Sequence, residues 1–449
     1  MITRIEIDGF KSFDRFAVDL RPFTAVIGTN AGGKSNLLDA LAFLRGLVQR
    51  SENSPLHAAA AARGGLKHMF RQLGDGTVVR TMRLAVEVLL DPREGGAGLG
   101  ETLPSGLASR WRYEVALERG AKRVQIVDER LQPIDPERDT WFDLVGATPT
   151  WRSAFALREK SAAPAPAPTA RELSPTENAM AALGIAESEG GIQRTGPSPR
   201  SLPADGLVRH QPFYSVLMAK VLQLHERALR MESDTGGDGV LESDGFGLPG
   251  FLHMLGEDDD ALRTGPWVLA AVRADLGRLV KGITGFEVVE DDRRHKLWIE
   301  LTARDEPPFP AELASDGTLR ALAILGSLRE PESGPLIVEE PENGLYPERL
   351  LDLLQMMRDA ASAPALDEPD DPLRQVIITS HSPLVLDVVP PEDIVFLDTV
   401  TEVRDGIASR VTRARRVQNP DEPTRPEDHG RVVRQAELDA FRTGRGVAA

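Results

Sequence analysis

Apolar and polar residues alternate through 2–8 (ITRIEID) and 15–20 (RFAVDL), the period-two pattern of strands in a partly exposed sheet. Residues 23–27 (FTAVI) are apolar without that alternation, which suits a strand buried on both faces. A glycine-rich turn follows. From Ser35 to Val48 the leucines at 37, 38, 41, 44 and 47 then fall at helical spacing. Strand, turn and helix open a βα unit.

The middle of the chain reads differently. Residues 79–90, 111–118 and 123–131 pattern as strands, whereas 161–206 carry SAAPAPAP, ELSP and GPSPRSLP with few aromatics, the composition of a flexible linker or surface insertion. Helical patterning is expected over 213–231 and 266–281, and a hairpin over 286–301 with DDRRHK at its tip. In the last third, Leu319–Leu328 and Leu350–Ala361 pattern as helices. Leu336–Val338, Val376–Ser380 and Ile394–Leu397 pattern as buried strands, and Pro364–Pro372 as an acidic loop. Alternating strands and helices predict an α/β domain with a largely parallel sheet. That sheet is split, one part at the N-terminus and the rest after about residue 308. Beyond 412 the arginine- and proline-rich sequence resembles a loosely ordered tail.

Composition narrows the function. With 41% hydrophobic and 27% charged residues, the 449-residue chain has ample material for a core. A net charge of −16 argues against coating nucleic acid with the whole surface, while leaving room for a local basic patch. Cysteine is absent, which excludes thiolate metal sites and cysteine nucleophiles. No stretch approaches about 18 consecutive apolar residues, and the N-terminus lacks an apolar signal core. The expected location is cytoplasmic, with no membrane partner.

GTNAGGKS at 28–35 matches G-x-x-x-x-G-K-[ST]. Backbone N–H groups of such a loop and the following helix N-terminus form a nest for phosphate. Lys34 would reach the terminal phosphates and the Ser35 hydroxyl would ligate Mg²⁺. Lysine occurs only at 11, 34, 67, 122, 160, 220, 281 and 296, so a chance match in a glycine turn is improbable by composition. The match also has the required context, after a buried strand and before a leucine-rich helix.

Leu336-Ile337-Val338-Glu339-Glu340 is an apolar strand ending in two acids. Such a pair alone is more often a solvated strand end. Beside a phosphate loop, the first acid suits magnesium, and the second suits orienting or deprotonating the attacking water.

Five motifs in order, ITRIEIDGFKSF, GTNAGGKSNLLDAL, ASDGTLRALAIL, LIVEEPENGLYP and VIITSHSP, resemble the ABC-type ATPase head of SMC, RecF and OLD-like proteins. The nearest resemblance is to compact AAA_21 (AAA-15) ATPases, good over 1–50 and 308–400 and loose over 210–300. It implies a split P-loop NTPase head with a mixed sheet, an inserted α+β lobe and a disordered linker. The expected parts are 1–75 and 308–411 for the head, 76–307 for the lobe with linker 161–206, and 412–449 for the tail. Gly28, Thr29, Asn30, Ala31, Gly32, Gly33, Lys34, Ser35 and Asn36 match the phosphate loop. Ser315, Asp316, Gly317 and Thr318 stand at the signature motif, which in the family contacts the γ-phosphate held by the opposite subunit; they are also a good helix N-terminal turn. Glu339 replaces the commoner aspartate at the magnesium position, Glu340 aligns with the catalytic glutamate, and His381 with the switch histidine, although a lone histidine after a strand is commonly structural. Tyr346 stands where a histidine is common. Gln72 is the candidate glutamine-loop residue. Lys11 and Phe13 match the family's GFKSF start, though a surface lysine between strands reads equally well.

The resemblance implies an ATPase using ATP and Mg²⁺ in a homodimer with ATP sandwiched between heads. Gly317 stands 283 positions after Lys34, far beyond the roughly hundred usual in transport ATPases, and no sustained heptads appear. The fifty residues after Thr399 are too few for the nuclease domain of OLD-type enzymes. Two readings of the task stay open. One is DNA repair or anti-phage defence with a separately encoded nuclease or toxin; the arginine-rich 404–416 either meets DNA there or is a solvated tail. The other is a nucleotide-gated regulatory scaffold without DNA.

Overall fold

The computed structural model describes residues 1–48, 65–90, 110–120, 124–135, 139–155, 192–194, 219–257, 259, 264–330, 334–367, 373–417 and 431–443. The expected linker 161–206 lies outside these residues apart from a short strand, Ile192–Arg194. So do 213–218 of the expected helix and 368–372 of the acidic loop.

The first half supplies β1 (Ile2–Asp8), β2 (Phe16–Asp19), β3 (Phe23–Gly28), α1 (Lys34–Val48), β4 (Thr81–Leu89), β5 (Arg110–Arg119) and β6 (Val124–Pro133). Next come β7 (Lys220–Leu222), α2 (Leu248–Gly256), α3 (Pro266–Leu279), β8 (Ile283–Asp291) and β9 (Lys296–Ala303). The last third adds α4 (Asp316–Arg329), β10 (Leu336–Glu339), α5 (Pro347–Ala360), β11 (Val376–Ser380), β12 (Ile394–Arg404), β13 (Ile407–Val417) and α6 (Gln435–Arg442).

The larger sheet runs β13-β12-β3-β11-β10-β7, with a two-residue strand, Val432–Val433, beyond β13. Neighbours from β12 to β7 are parallel, while β12 and β13 form an antiparallel hairpin. Its central strands are apolar throughout because both faces are covered. Ala25, Ile27, Val338 and Ile378 belong to the core under α2, α3, α4 and α5, and Val26, Ile337 and Ile377 to the core around α1 and the second sheet. Period-two geometry thus feeds one strand into two cores. Every one of these strands ends at the same edge, which carries the candidate chemistry.

The second sheet, β2-β1-β4-β5-β6, is antiparallel among these strands. The boundary expected at residue 76 therefore falls inside one sheet, since β1 pairs with β4 from Ile2↔Val88 to Asp8↔Arg83. β8 and β9 pair as the expected hairpin.

Two expectations are corrected. Residues 220–222 are strand rather than helix: β7 pairs in parallel with β10, Leu336↔Lys220 to Val338↔Leu222, and of the described residues 219–231 only Glu226–Leu229 are helical. A short apolar run fits both periods, and pairing with an open strand edge decides it. Residues from 412 are not a loose tail where described. β13 continues to Val417, and Val433 and Leu438 are buried. RVTRARRV is an amphipathic strand whose inward arginine, Arg415, is 4% exposed and ion-paired to Asp398 and Glu437. Among the described residues, no helix is long and apolar enough to cross a membrane.

Candidate functional site

The phosphate loop spans the gap between β3 and α1. Ala31 and Gly33 have φ of 60° and 101°, a left-handed path that curls successive amides inward. A Cβ on Gly33 would overlap the Thr412 side chain of β13, and one on Gly28 or Gly32 would press on the Leu397 carbonyl of β12. Glycine is thus required by close approach as well as by backbone angle.

Lys34 is 5% exposed, and its Nζ donates to the carbonyls of Gly28 (2.7 Å) and Thr29 (3.1 Å). Burial pulls its pKa down to about 8 against the opposing pull of Glu340, Glu342 and Glu339. The ammonium is therefore a costly buried cation awaiting negative charge. Asn36 turns away: its Nδ2 donates to Ser12 Oγ (2.8 Å), and that hydroxyl lies 2.7 Å from Thr412 Oγ1. Lys11 is paired with Asp39 on α1 rather than free in solvent, and Phe13 is fully buried.

β10 delivers its two acids to this loop. Ser35 Oγ donates to Glu339 Oε1 at 3.4 Å, and the Gln223 side chain, just past β7, lies near enough to Glu339 to favour its charged form. Burial, then the charge of Glu340, holds the Glu339 carboxyl above its ordinary range. Hydroxyl, carboxylate and amide oxygens form a hard donor set of the kind Mg²⁺ takes. Gln223 is not among the sequence candidates, because the helix expected over 213–231 covers it. Gln72, expected in that role, instead lies in a turn with its Nε2 3.5 Å from the Gly76 carbonyl. The signal available was a glutamine directly after a short apolar run.

Glu340 adopts a left-handed backbone, φ 48°. Its N–H donates to the Thr379 carbonyl of β11 (2.8 Å), so the chain turns sharply at the strand end. Its side chain accepts from Asn343 Nδ2 (2.9 Å), and His381 Nε2 lies 3.1 Å from Oε1. Burial, then the Lys34 charge, keeps the His381 pKa below its ordinary value.

Ser315 caps α4, its Oγ accepting from the Thr318 N–H (3.2 Å). Asp316 is ion-paired with Arg230, whose hydrogen bond lowers the Asp316 pKa. Gly317 is packed against the Gly344 carbonyl, which a Cβ would overlap. Among the described residues, no hydrogen bond or ion pair joins 315–318 to 28–36. Leu313 and Tyr346 flank this corner and are 73% and 72% exposed.

The arginines of 404–416 are largely spoken for. Arg413 and Arg415 pair with Asp398, Arg404 with Asp14, and Arg410 donates to Thr399.

Two family models match separate parts of the chain: "AAA ATPase domain" over 1–67, and "AAA domain, putative AbiEii toxin, Type IV TA system" over 270–387. A 46-residue stretch is 44% identical to the chromosome partition protein Smc of Methanocaldococcus jannaschii, covering 10% of this chain and 4% of that protein. The Smc head bound to the C-winged helix domain of ScpA aligns over 92% of this chain and 98% of its own, with 13% identity and a TM-score of 0.44. An Smc head with coiled coil and joint from Pyrococcus yayanosii aligns over 93% and 97%, with 11% identity and a TM-score of 0.45.

Proposed function

We propose that the chain is an SMC/RecF-like ATPase head that binds ATP between two copies of itself and hydrolyses it with Glu340 as general base. The observation that carries this is the convergence of Lys34, Ser35, Glu339, Glu340 and His381 from three strand ends. Lys34 would exchange its two carbonyl partners for phosphate oxygens. Mg²⁺, held by Ser35, Glu339 and Gln223, would offset the charge developing on the transferred phosphoryl group. Glu340 takes the proton of the attacking water, and Asn343 and His381 aim its carboxylate. The His381 ring, 3.1 Å from that carboxylate, would sense the γ-phosphate.

The second copy enters through the signature turn. In one chain Ser315–Thr318 is engaged with Arg230 and the Gly344 turn, away from that chain's own phosphate loop. Of this turn Ser315 is exposed, and through it the turn would meet the γ-phosphate held by the other copy. Sedimentation of Glu340→Gln with ATP and Mg²⁺ tests the reading: a stable dimer with turnover nearly abolished supports it, and a strict monomer refutes it.

For the output of the switch, the pairing of the 404–416 arginines favours a protein partner over DNA at that strand. An effector such as a separately encoded nuclease or toxin suits this reading, as does the toxin–antitoxin wording of the matching family. ATP-dependent DNA binding that weakens steeply with salt would favour a role in repair instead.

A further inference from the structure

The acid two positions beyond the proposed general base has no role in the scheme so far, yet it is among the most committed side chains of the site. Glu342 Oε1 accepts from Ser380 Oγ (2.8 Å), the His381 N–H (2.8 Å) and the Ser382 N–H (3.2 Å). Three donors from three consecutive residues converge on one oxygen. Its other oxygen, Oε2, is buried without a hydrogen-bond partner in the structure.

The chain around it explains the arrangement. Glu340 turns left-handed at the end of β10, and the Asn343 N–H closes back on the Glu340 carbonyl (3.1 Å). That tight turn brings Glu342 beside the end of β11, just where its strand becomes the 381–384 loop. There the N–H groups of His381 and Ser382 have left the sheet ladder and need acceptors. Ser380 Oγ accepts from the Ser382 N–H as well (2.9 Å), so the corner is doubly tied.

We infer that Glu342 is a positioning residue: it fixes the backbone at 380–382 and thereby holds the His381 ring against Glu340. The two residues of the hydrolytic pair come from different strands, β10 and β11. The His381 side chain bridges them on one side, and the Glu342 carboxylate bridges them on the other. A loop tied at one point only would let the imidazole swing, and a displacement of about an ångström at a reacting centre costs on the order of 100-fold in rate.

The role is one of hydrogen-bond acceptance, which separates it from general-base or metal-ligand work. An amide keeps an acceptor oxygen for the three donors, while it drops the charge and puts an NH2 group in place of the unpartnered Oε2. Glu342→Gln should therefore retain function, whereas Glu342→Ala should not.

This inference rests on the ATPase reading for its kinetic consequence, so the experiment has one readout that does not. Hydrogen–deuterium exchange of the nucleotide-free protein is followed at the His381 and Ser382 amides. In parallel, kcat, KM for ATP and melting temperature are measured for the native chain, Glu342→Ala and Glu342→Gln. The expected result is faster exchange at those two amides in the alanine variant alone, with kcat down about 100-fold, KM within about threefold and the melting transition retained. The glutamine variant should stay within about threefold of native kcat. Equal loss in both variants would overturn positioning in favour of a charge-dependent role, and native exchange in Glu342→Ala would overturn the tether itself. If the native chain does not turn over ATP, the proposed function fails, and the exchange result alone decides the tether.

Discussion

Nε2 of His381 and Oε1 of Glu340 lie 3.1 Å apart, although the two residues follow different strands of the parallel sheet. Parallel register places Glu339 opposite Thr379, so the acids ending one strand and the histidine following the next emerge side by side. The contact is a direct product of the sheet. It makes His381 a partner of Glu340 in the nucleotide-free chain.

Lys34 sets a pH limit on nucleotide binding. Burial lowers its pKa to about 8 in the free protein, and bound phosphates favour the charged form. Binding therefore takes up about half a proton at pH 8, close to one well above it and little well below it. ATP affinity should change little up to about pH 7, bend near pH 8 and fall by up to about tenfold per unit above that. Titration calorimetry at several pH values, in buffers of different ionisation enthalpy, reads both the affinity and the proton uptake. Lys34→Ala should lose ATP affinity and abolish the pH effect together.

Gln223 and Gln72 give opposite expectations. Removing Gln223, which lies beside Glu339, should weaken magnesium affinity in turnover, raising the Mg²⁺ needed for half-maximal rate by about 10-fold. Gln72→Ala should leave it unchanged, because that side chain serves only the 72–78 turn. A magnesium titration of both variants distinguishes them.

Arg415 is held inside the hairpin by Asp398 and Glu437. Arg415→Ala should destabilise the fold by about 3–5 kcal/mol, since it leaves two carboxylates beside a buried gap. The partly exposed Arg413 shares the Asp398 carboxylate, and its removal should cost about 1 kcal/mol or less. Urea unfolding of the two variants measures the difference. A protein in which both arginines were free for DNA would show neither cost.

Most of the site was legible in the sequence because its parts are local. GTNAGGKS, the acids ending LIVEE and the histidine after VIITS each close a mainly apolar strand, and such strands suit the centre of a covered parallel sheet. What escaped depends on distant pairing. Lys220–Leu222 is too short to declare its period, and only the edge of β10 makes it strand, which hid Gln223. The arginine-rich segment after 404 reads as solvated from its charge, and only Asp398 and Glu437 reveal that one of its arginines points inward. The turn at Glu340 that aims Glu342 at 380–382 has no glycine to announce it.

The central claim is that each nucleotide is completed by the signature turn of a second copy, and mixing two inactive variants tests it most directly. Lys34→Ala removes the phosphate contact. Ser315→Arg blocks the exposed signature turn at a fold cost of about 1 kcal/mol for the lost cap. Each variant alone should have almost no ATPase activity. In the mixed dimer, one site pairs an intact phosphate loop with an intact signature turn, so mixing at equal concentration should restore about a quarter of native turnover if dimers form at random. A mixture as inactive as its components, with both variants folded, would contradict the two-copy site.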